Sequence, residues 1–497
     1  MPKADEKEIT KGQSLVWNTL YSFLGQGVPL IVALGSMPIL IRGLGTDRFG
    51  ILTLIWMVIS YFSLFDLGLG RALTQMVAEK TGAGKYQEIP PLMWTASFLM
   101  LILGIVGTFV LIALTPTLIY GVLKIPAELR NETEKTFYLL ALSVPLITST
   151  AGLVGFLSAL QRFDLINIVR IPMSMFMFVG PILVIQFSNS LFPVTLTLVL
   201  SRFINWAINL WQCFNVMPDL KKRIVFDKTQ LPAMLKFGGW MTVTNIVGPL
   251  MVYLDRFLIG SVISISAVAF YTTPYEVVTK LWIIPNSLIN VLFPAFTTSH
   301  QTSVKSSSEL FEKAIIYIFF VLFPVVLLTT TFAQEGLYLW LGADFSRKSS
   351  LVLQILAIGI FINSFANIAY TFIQGIGKPN ITAKLHLLEL PFYLLLVWHL
   401  AKIHGIVGVA IAWVLRIAVD AILLFYIADN FLTVVDKTKS RMILILLASM
   451  VLILISINLK ELQAKIIFSS ISLITISLAA YYSLDLKNIY KKIFKPG

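Results

Sequence analysis

Charged side chains inside long apolar segments are the residues of this sequence best placed to do chemistry. A charge is costly in an apolar medium, so such a side chain usually faces a helix-bundle interior or a water-filled cavity. Bases outnumber acids in these segments, which favours an anionic ligand over a cationic one. The bases are Arg71, Arg170, Arg202, Arg256, Lys280, Lys384 and Arg416, and the acids are Asp66, Asp255, Glu276, Glu389 and Asp420.

Spacing along the chain separates paired charges from isolated ones. Glu276 and Lys280 are four residues apart, as are Arg416 and Asp420. Residues at this spacing share a helix face and form ion pairs, which is the simpler interpretation of these four. Arg202 has no opposite charge within a helical turn, so a ligand phosphate or an acid from another helix must satisfy it.

Other kinds of chemistry have little support. His386 and Glu389 could relay protons, although a histidine bonded to a backbone carbonyl is the simpler interpretation. Cys213 is the single cysteine, and neither an HExxH pair nor a GxxxxGK[ST] loop occurs. The sequence therefore predicts no metal site, no cofactor and no enzymatic activity.

The elements that position these residues are membrane-spanning helices. Of 497 residues, 57% are hydrophobic and 13% charged, whereas soluble proteins have about 25% charged residues. Fourteen apolar runs are long enough to span a bilayer as helices. The termini and even-numbered loops carry roughly twice as many lysines and arginines as the odd-numbered loops, which predicts cytoplasmic termini. The net charge of +13 follows from this topology, without nucleic-acid binding.

A weak internal repeat divides the runs into two halves. Gly27-Val28-Pro29 matches Val247-Gly248-Pro249 at an offset of 220, and QRFDLIN after the fourth run matches GKPNITA after the tenth near 217. We therefore expect an all-α polytopic protein with two pseudo-symmetric six-helix lobes and two peripheral C-terminal helices. The predicted domains are an N-terminal lobe 1–217, a cytoplasmic linker 218–234, a C-terminal lobe 235–432, and residues 433–497 with the last two helices and a basic tail.

The second run and its counterpart, the eighth, are long and interrupted. The second spans 29 residues from Phe49 to Val77, about 44 Å as a helix and longer than a bilayer core of about 30 Å. Gly68 and Gly70 can loosen it or admit another backbone, and Pro274 and Pro285 favour kinks in the eighth. These residues are candidate hinges, with ordinary close packing as the alternative.

Two segments carry a family resemblance. LGTDRFGILTLIWMVISYFSLFDLGLGRALTQMVAE, from Leu44 to Glu79, and LQRFDLINIVR, from Leu160 to Arg170, resemble the polysaccharide transporter branch of the multidrug/oligosaccharidyl-lipid/polysaccharide exporter superfamily, which includes O-antigen flippases. The resemblance implies two six-helix lobes around a V-shaped cavity and transport of an undecaprenyl-diphosphate-linked oligosaccharide across the inner membrane. No equally clear DLGLG motif recurs in the second half.

The placement of the charges within the spans predicts roles for them in such a transporter. We expect the cavity cations to hold the diphosphate or acidic sugars while the lobes rock about the second and eighth helices. Ion coupling would run through acids within the spans. The expected cations are Arg71, Arg202, Lys280 and Arg416, and the expected coupling acids are Asp66, Asp255 and Glu276.

Two other functional classes stay open. A cation or drug antiporter of the same superfamily would depend more on central acids than on bases. A membrane enzyme would chemically change a lipid-linked sugar, and an assembly scaffold would bind other proteins. The expected partners are lipid-linked oligosaccharide, membrane lipids and polysaccharide polymerase or assembly proteins.

Overall fold

The computed structural model describes residues 12–64, 68–232, 234, 251, 253–432 and 436–483. These residues are almost entirely helical, and none of them lies in a β-strand. The chain forms two compact units, Met1–Ala269 (unit 1) and Phe270–Gly497 (unit 2). The lobe and linker boundaries expected from the sequence stay predictions.

Unit 1 is a bundle of long helices joined by short turns. Its helices are α1 Gly12–Leu64, α2 Leu69–Gly82, α3 Ile89–Pro116, α4 Ala127–Ala141, α5 Val144–Ala159, α6 Phe163–Ile185 and α7 Leu191–Val216, followed by a helical stretch over 253–262. Gly45 interrupts α1 with a φ of 77°, a left-handed conformation that glycine adopts without steric cost. The break separates the first two apolar runs.

Small and hydroxyl residues let the helices of unit 1 approach closely, as is typical of membrane bundles. A β-carbon at Gly155 of α5 would lie 2.7 Å from the Gly70 carbonyl oxygen of α2. Across the same contact, the Thr74 hydroxyl donates to the Gly155 carbonyl at 3.0 Å. Gly70 therefore has the close-approach role that its spacing suggested.

Part of the family-like sequence is structural. Arg48 of the DRFG segment forms an ion pair with Glu132 of α4 at 3.1 Å. The other carboxylate oxygen of Glu132 accepts a hydrogen bond from the Leu191 amide at the start of α7. One acid thus fixes the turn between the first two runs against two further helices.

Unit 2 contains the remaining helices, of which the first begins just before the unit boundary. They are α8 Ile265–Thr279, α9 Ile283–Thr302, α10 Val304–Thr331, α11 Ala333–Leu341, α12 Ala343–Gly375, α13 Pro379–Asp429, α14 Asp436–Asn458 and α15 Leu462–Ser483. Gly405, with a φ of 58°, divides α13 into two helical halves. The last two helices contact α10, where the Ser456 and Thr330 hydroxyls lie 3.1 Å apart, and Lys465 of α15 pairs with Glu335 of α11 at 2.7 Å.

Seven helical segments in the described part of the chain are long and apolar enough to cross a membrane. Large apolar side chains such as Phe109 on α3, Leu388 and Phe392 on α13 and Ile422 are exposed. Such exposure is costly in water, but it is what a helix needs where it faces lipid. The protein is therefore a polytopic membrane protein.

Candidate functional site

Arg202 lies in the middle of α7, and the structure gives it no carboxylate partner among the described residues. One guanidinium nitrogen, Nη2, lies 3.8 Å from the Met177 sulfur on α6. Its Nε is buried and donates no hydrogen bond to a described residue. A thioether is a weak acceptor and carries no charge. The cation that the sequence marked as unpaired thus also lacks a strong acceptor among the residues of unit 1 that the structure describes.

Arg71 is placed by a break in the helix that precedes it. Gly68, with a φ of 74°, precedes the first residue of α2, and Arg71 stands in the first turn with its side chain exposed. The first backbone amides of a helix have no partner within the helix and add positive potential to that of Arg71. Asp66, expected as a coupling acid, lies outside the described residues, whereas the helix break expected at Gly68 is present.

Asp255 and Arg256 form a buried ion pair in unit 1. Their side chains are 1% and 2% exposed, and Asp255 Oδ1 lies 3.2 Å from Arg256 Nη1. The guanidinium also lies over the Tyr253 ring, 5.5 Å from its centroid. Sequence reasoning did not identify this pair, because adjacent helical residues normally point apart. The coupling role expected for Asp255 stays a prediction.

Lys280 and Glu276 form the ion pair that their spacing suggested. Lys280 Nζ lies 3.4 Å from Glu276 Oε2, and both side chains are partly exposed. Lys280 begins a single 3-10 turn, Lys280–Trp282, that interrupts the helix between α8 and α9. Pro274 lies inside α8 and Pro285 in the first turn of α9. The eighth run is thus interrupted, as expected, and Lys280 lies at the interruption.

Four charged or titratable side chains meet between the two halves of α13. His386 Nε2 lies 3.5 Å from Asp420 Oδ1, and Arg416 Nη1 lies 3.8 Å from Glu389 Oε2. Glu389 and Asp420 are buried, at 8% and 4% exposure. We name these four residues the α13 cluster.

The α13 cluster has a partner pattern that helical spacing did not reveal. Arg416 was expected to pair with Asp420 one turn away, yet it contacts Glu389 across the turn at Gly405, and His386 has a carboxylate rather than only backbone to face. Both contacts join residues that are placed nearly symmetrically in the chain on either side of residue 403, as in an antiparallel helix pair. That symmetry, with glycine as a helix stop, is the sequence signal that could have identified the cluster.

The α13 cluster is the group of described residues whose geometry comes nearest to a cation site. One ligand atom from each of His386, Glu389 and Asp420 lies within 4.8 Å of the other two. Arg416 already contributes a positive charge beside Glu389. A multivalent metal ion would meet that charge at close range, so the surroundings disfavour a metal.

Unit 2 also contains an apolar cavity of about 690 Å³, lined by α10, α12, α13 and α14. Phe311, Phe361, Phe425 and Met450 are among its lining residues, and none of the described residues that line it is a base. It is therefore not the cation-lined space that the sequence led us to expect. Arg71, Arg202, Lys280 and Arg416 do not line it.

Solved structures of transporters share this fold. The lipid II flippase MurJ in an inward closed conformation matches with a TM-score of 0.74 at 12% identity, over 94% of this chain and 99% of that one. An inward-facing multidrug resistance MATE family transporter matches with a TM-score of 0.69 at 16% identity, over 82% of this chain and 97% of that one. At such identities the likeness concerns the fold.

Curated relatives match at the level of sequence. A Shigella flexneri protein named "Putative O-antigen transporter" is 29% identical over 425 residues, which cover 85% of this chain and all of that protein. A Haloferax volcanii protein named "Probable low-salt glycan biosynthesis flippase Agl15" is 22% identical over 225 residues, or 45% of this chain and 47% of that one.

A family profile described as polysaccharide biosynthesis protein matches residues 15–300. The match includes the segment from Leu44 to Glu79, the LQRFDLINIVR segment and Arg202. It covers more than half of the chain, and the chain belongs to this polysaccharide biosynthesis protein family.

Proposed function

We propose that the protein is a flippase that moves a polyprenyl-diphosphate-linked oligosaccharide across the inner membrane for surface polysaccharide synthesis. The observation that carries the proposal is Arg202, a mid-helix cation whose Nη2 lies 3.8 Å from a thioether sulfur and whose Nε has no acceptor among the described residues. A diphosphate offers the anionic oxygens that such a guanidinium needs. The relative from Shigella flexneri, matched along its whole length, supports the same direction.

The transport mechanism we propose is alternating access. Unpaired polar groups cost several kcal/mol each in hydrocarbon, so a glycan and its diphosphate need a polar path, whereas the lipid tail remains in the bilayer. Arg71, Arg202, Lys280 and Arg416 are the proposed substrate cations. Conformational change would use the helix break at Gly68 and the interruption at Lys280–Trp282, because these points lack continuous helical hydrogen bonding.

The finer architecture belongs to the same proposal. It comprises fourteen spans in two six-helix lobes, two peripheral C-terminal helices, and termini on the cytoplasmic side. The lysine and arginine distribution supports the orientation. The last two helices, α14 and α15, both contact α10, which supports their placement next to the C-terminal lobe. Polymerase or assembly proteins are the proposed protein partners.

A strain that lacks the gene tests the function. Without the protein, lipid-linked oligosaccharide should accumulate on the cytoplasmic leaflet, and the wild-type gene should restore surface glycan. Arg202→Ala should fail to restore it. Arg170→Ala is the matched control, because Arg170 is exposed and donates to the Asn167 side chain at 2.6 Å. Normal surface glycan in the deletion strain, without a redundant gene, would overturn the proposal.

A cation-coupled antiporter is the second candidate, because a buried acid pair lies in the α13 cluster and the MATE fold is shared. It makes the opposite prediction about charge. Amide substitution of Glu389 or Asp420 should then abolish activity, whereas Arg202→Ala should have little effect. Cells that express the protein should also extrude a cationic dye, which a flippase for anionic headgroups should not do.

A further inference from the structure

The α13 cluster carries an unbalanced charge. Glu389 and Asp420 supply two negative charges when ionised, Arg416 supplies one positive charge, and a neutral His386 supplies none. The net charge of the buried group is then negative by one. Because a net charge is costly in a low-dielectric interior, the group has a strong tendency to take up one positive charge.

The hydrogen bonding of the acids shows the same deficit. Neither carboxylate oxygen of Glu389 accepts a hydrogen bond from a described residue, and Asp420 Oδ1 accepts none. The Arg416 nitrogen at 3.8 Å and the His386 nitrogen at 3.5 Å are at ion-pair distance, but they are too far away for strong hydrogen bonds. Two buried carboxylates whose oxygens lie within 4.8 Å of each other repel when both are ionised.

We propose that the α13 cluster is an exchange site for a single proton, shared by His386, Glu389 and Asp420, whose occupancy is coupled to transport. A proton on His386 gives an imidazolium beside Asp420, and the group of four becomes neutral. A proton bridging the two carboxylates has the same effect on net charge. Exchange requires only a proton from water, which binds to a nitrogen or oxygen lone pair and leaves again.

The surroundings favour a proton over a metal ion. Tyr370 of α12 stacks on His386 with ring centroids 5.7 Å apart and an interplanar angle of 7°. Tyr393 lies 5.4 Å from the Arg416 guanidinium, and Tyr275 of α8 packs on Trp413 beside the cluster. Tyrosines stay neutral near neutral pH, so Arg416 is the charge among the described residues that faces the two acids. Its position next to Glu389 would repel a multivalent metal ion strongly, whereas a proton binds covalently to a single oxygen or nitrogen lone pair.

The site lies where protonation changes a helix contact. His386 and Glu389 lie on the first half of α13, and Arg416 and Asp420 on the second. A protonated cluster holds the halves together by opposite charges, whereas loss of the proton leaves Glu389 and Asp420 in mutual repulsion. Proton binding therefore biases the packing of this helix pair, which is the kind of two-state element that a gradient can drive.

Proton uptake by the purified full-length chain in lipid nanodiscs tests the site directly. Between about pH 8 and pH 5, the wild type should take up one proton more than Glu389→Gln and one more than Asp420→Asn, because each variant lacks one of the two buried acids. Each substitution removes one negative charge and so leaves the cluster neutral without a bound proton. This applies to Glu389→Gln as well, although His386 contacts only Asp420. Asp344→Asn, a surface acid paired with Lys348 at 3.0 Å, is the control and should match the wild type.

Two results of the titration would overturn the proposal. One is equal uptake by the wild type and both acid variants, with all three folded by size-exclusion elution. The other is loss of the wild-type uptake when choline chloride is replaced by sodium chloride, because the missing positive charge would then be a bound sodium ion. Unchanged uptake in sodium supports the proton site.

Coupling to transport rests on the proposed function and needs a second measurement. In proteoliposomes, a pH gradient should accelerate lipid-linked oligosaccharide translocation by about tenfold or more. A tenfold change corresponds to a free-energy difference of about 1.4 kcal/mol. Glu389→Gln and Asp420→Asn should keep the rate seen without a gradient and lose the acceleration. Acceleration that persists in both variants would refute coupling. If the wild type translocates nothing, the proposed function fails, whereas the titration still decides the proton site.

Discussion

Arg202 of unit 1 differs in its partners from Lys280 and Arg416 of unit 2. In unit 1, Arg202 faces a thioether at 3.8 Å and its Nε has no acceptor among the described residues. In unit 2, Lys280 and Arg416 each lie within ion-pair distance of a carboxylate, at 3.4 and 3.8 Å. Residues of the same type can therefore serve different purposes. An unneutralised cation contributes its full charge to a bound anion, whereas a cation beside a carboxylate contributes less to anion binding and also links helices or takes part in a proton equilibrium.

The largest expected effect tests this difference with a substrate readout. Arg202→Ala should lower the rate of lipid-linked oligosaccharide translocation by about ten- to a hundredfold, because charge-assisted hydrogen bonds contribute about 1.5–3 kcal/mol. Lys280→Ala should have a smaller effect, since its ammonium is already paired. Thermal stability of Arg202→Ala should not fall, because the substitution removes a poorly compensated buried charge. Equal losses of translocation rate in Arg202→Ala and Lys280→Ala would remove the distinction between the unpaired and the paired cation.

The next effect concerns stability. Asp255→Ala should destabilise the protein by about 3 kcal/mol, because it leaves the Arg256 guanidinium buried without its adjacent carboxylate. Glu276→Ala should cost less than about 1 kcal/mol, because its pair with Lys280 is partly exposed. Thermal unfolding of each variant in detergent measures the contrast. A similar loss in both would show that burial does not set the strength of these pairs.

A smaller effect compares one turn in each unit. In both the QRFDLIN and GKPNITA segments, the preceding helix ends with the same kind of backbone hydrogen bond, from an amide to the carbonyl oxygen five residues earlier. Arg162 N donates to Leu157 O at 2.9 Å, and Lys378 N donates to Ile373 O at 3.1 Å. The residue just before the donating amide adopts the left-handed conformation in both turns. It is Gln161 in unit 1, with a φ of 57°, and Gly377 in unit 2, with a φ of 80°.

Exchanging the residue types of the two turns should therefore have opposite effects on stability. Gly377→Gln should destabilise by about 1 kcal/mol, because a side chain penalises the left-handed conformation. Gln161→Gly should be neutral or slightly stabilising. No atom of the described residues lies within 4 Å of a β-carbon built at Gly377, so backbone strain sets the expected cost. A loss much greater than about 2 kcal/mol at Gly377 would indicate contacts beyond those of the turn.

The sequence predicted helix type, the breaks at Gly68 and near Pro285, and the Glu276–Lys280 pair, because all of these depend on residues close in the chain. The repeat of QRFDLIN in GKPNITA was also informative, because both segments end a helix with the same backbone geometry. The contacts Arg416–Glu389 and His386–Asp420 were not predicted. They depend on the register of two antiparallel helix halves, which charge spacing on one helix does not encode.

The smallest expected effect is on the pH dependence of stability, through Asp227. In the loop after α7, bonds from the Thr229 side chain and backbone lower the pKa of Asp227. A lowered pKa in the folded state means that this contribution is present above the unfolded pKa of about 3.9 and is lost as pH falls through the folded value. Asp227→Asn should make unfolding slightly less sensitive to pH below about 4 than in the wild type. Identical acid unfolding profiles of the variant and the wild type would show that the bonds from Thr229 to Asp227 do not contribute to stability.

The most direct test of the account uses the purified protein alone in liposomes that contain a polyprenyl-diphosphate oligosaccharide. The measurement is the fraction of glycan that a membrane-impermeant sugar-oxidising reagent reaches from outside over time. We expect the wild type and Arg170→Ala to bring nearly all of the glycan within reach and Arg202→Ala to leave it close to the protein-free level. A wild-type curve that coincides with protein-free liposomes, or an Arg202→Ala curve that coincides with the wild type, would contradict the central claim.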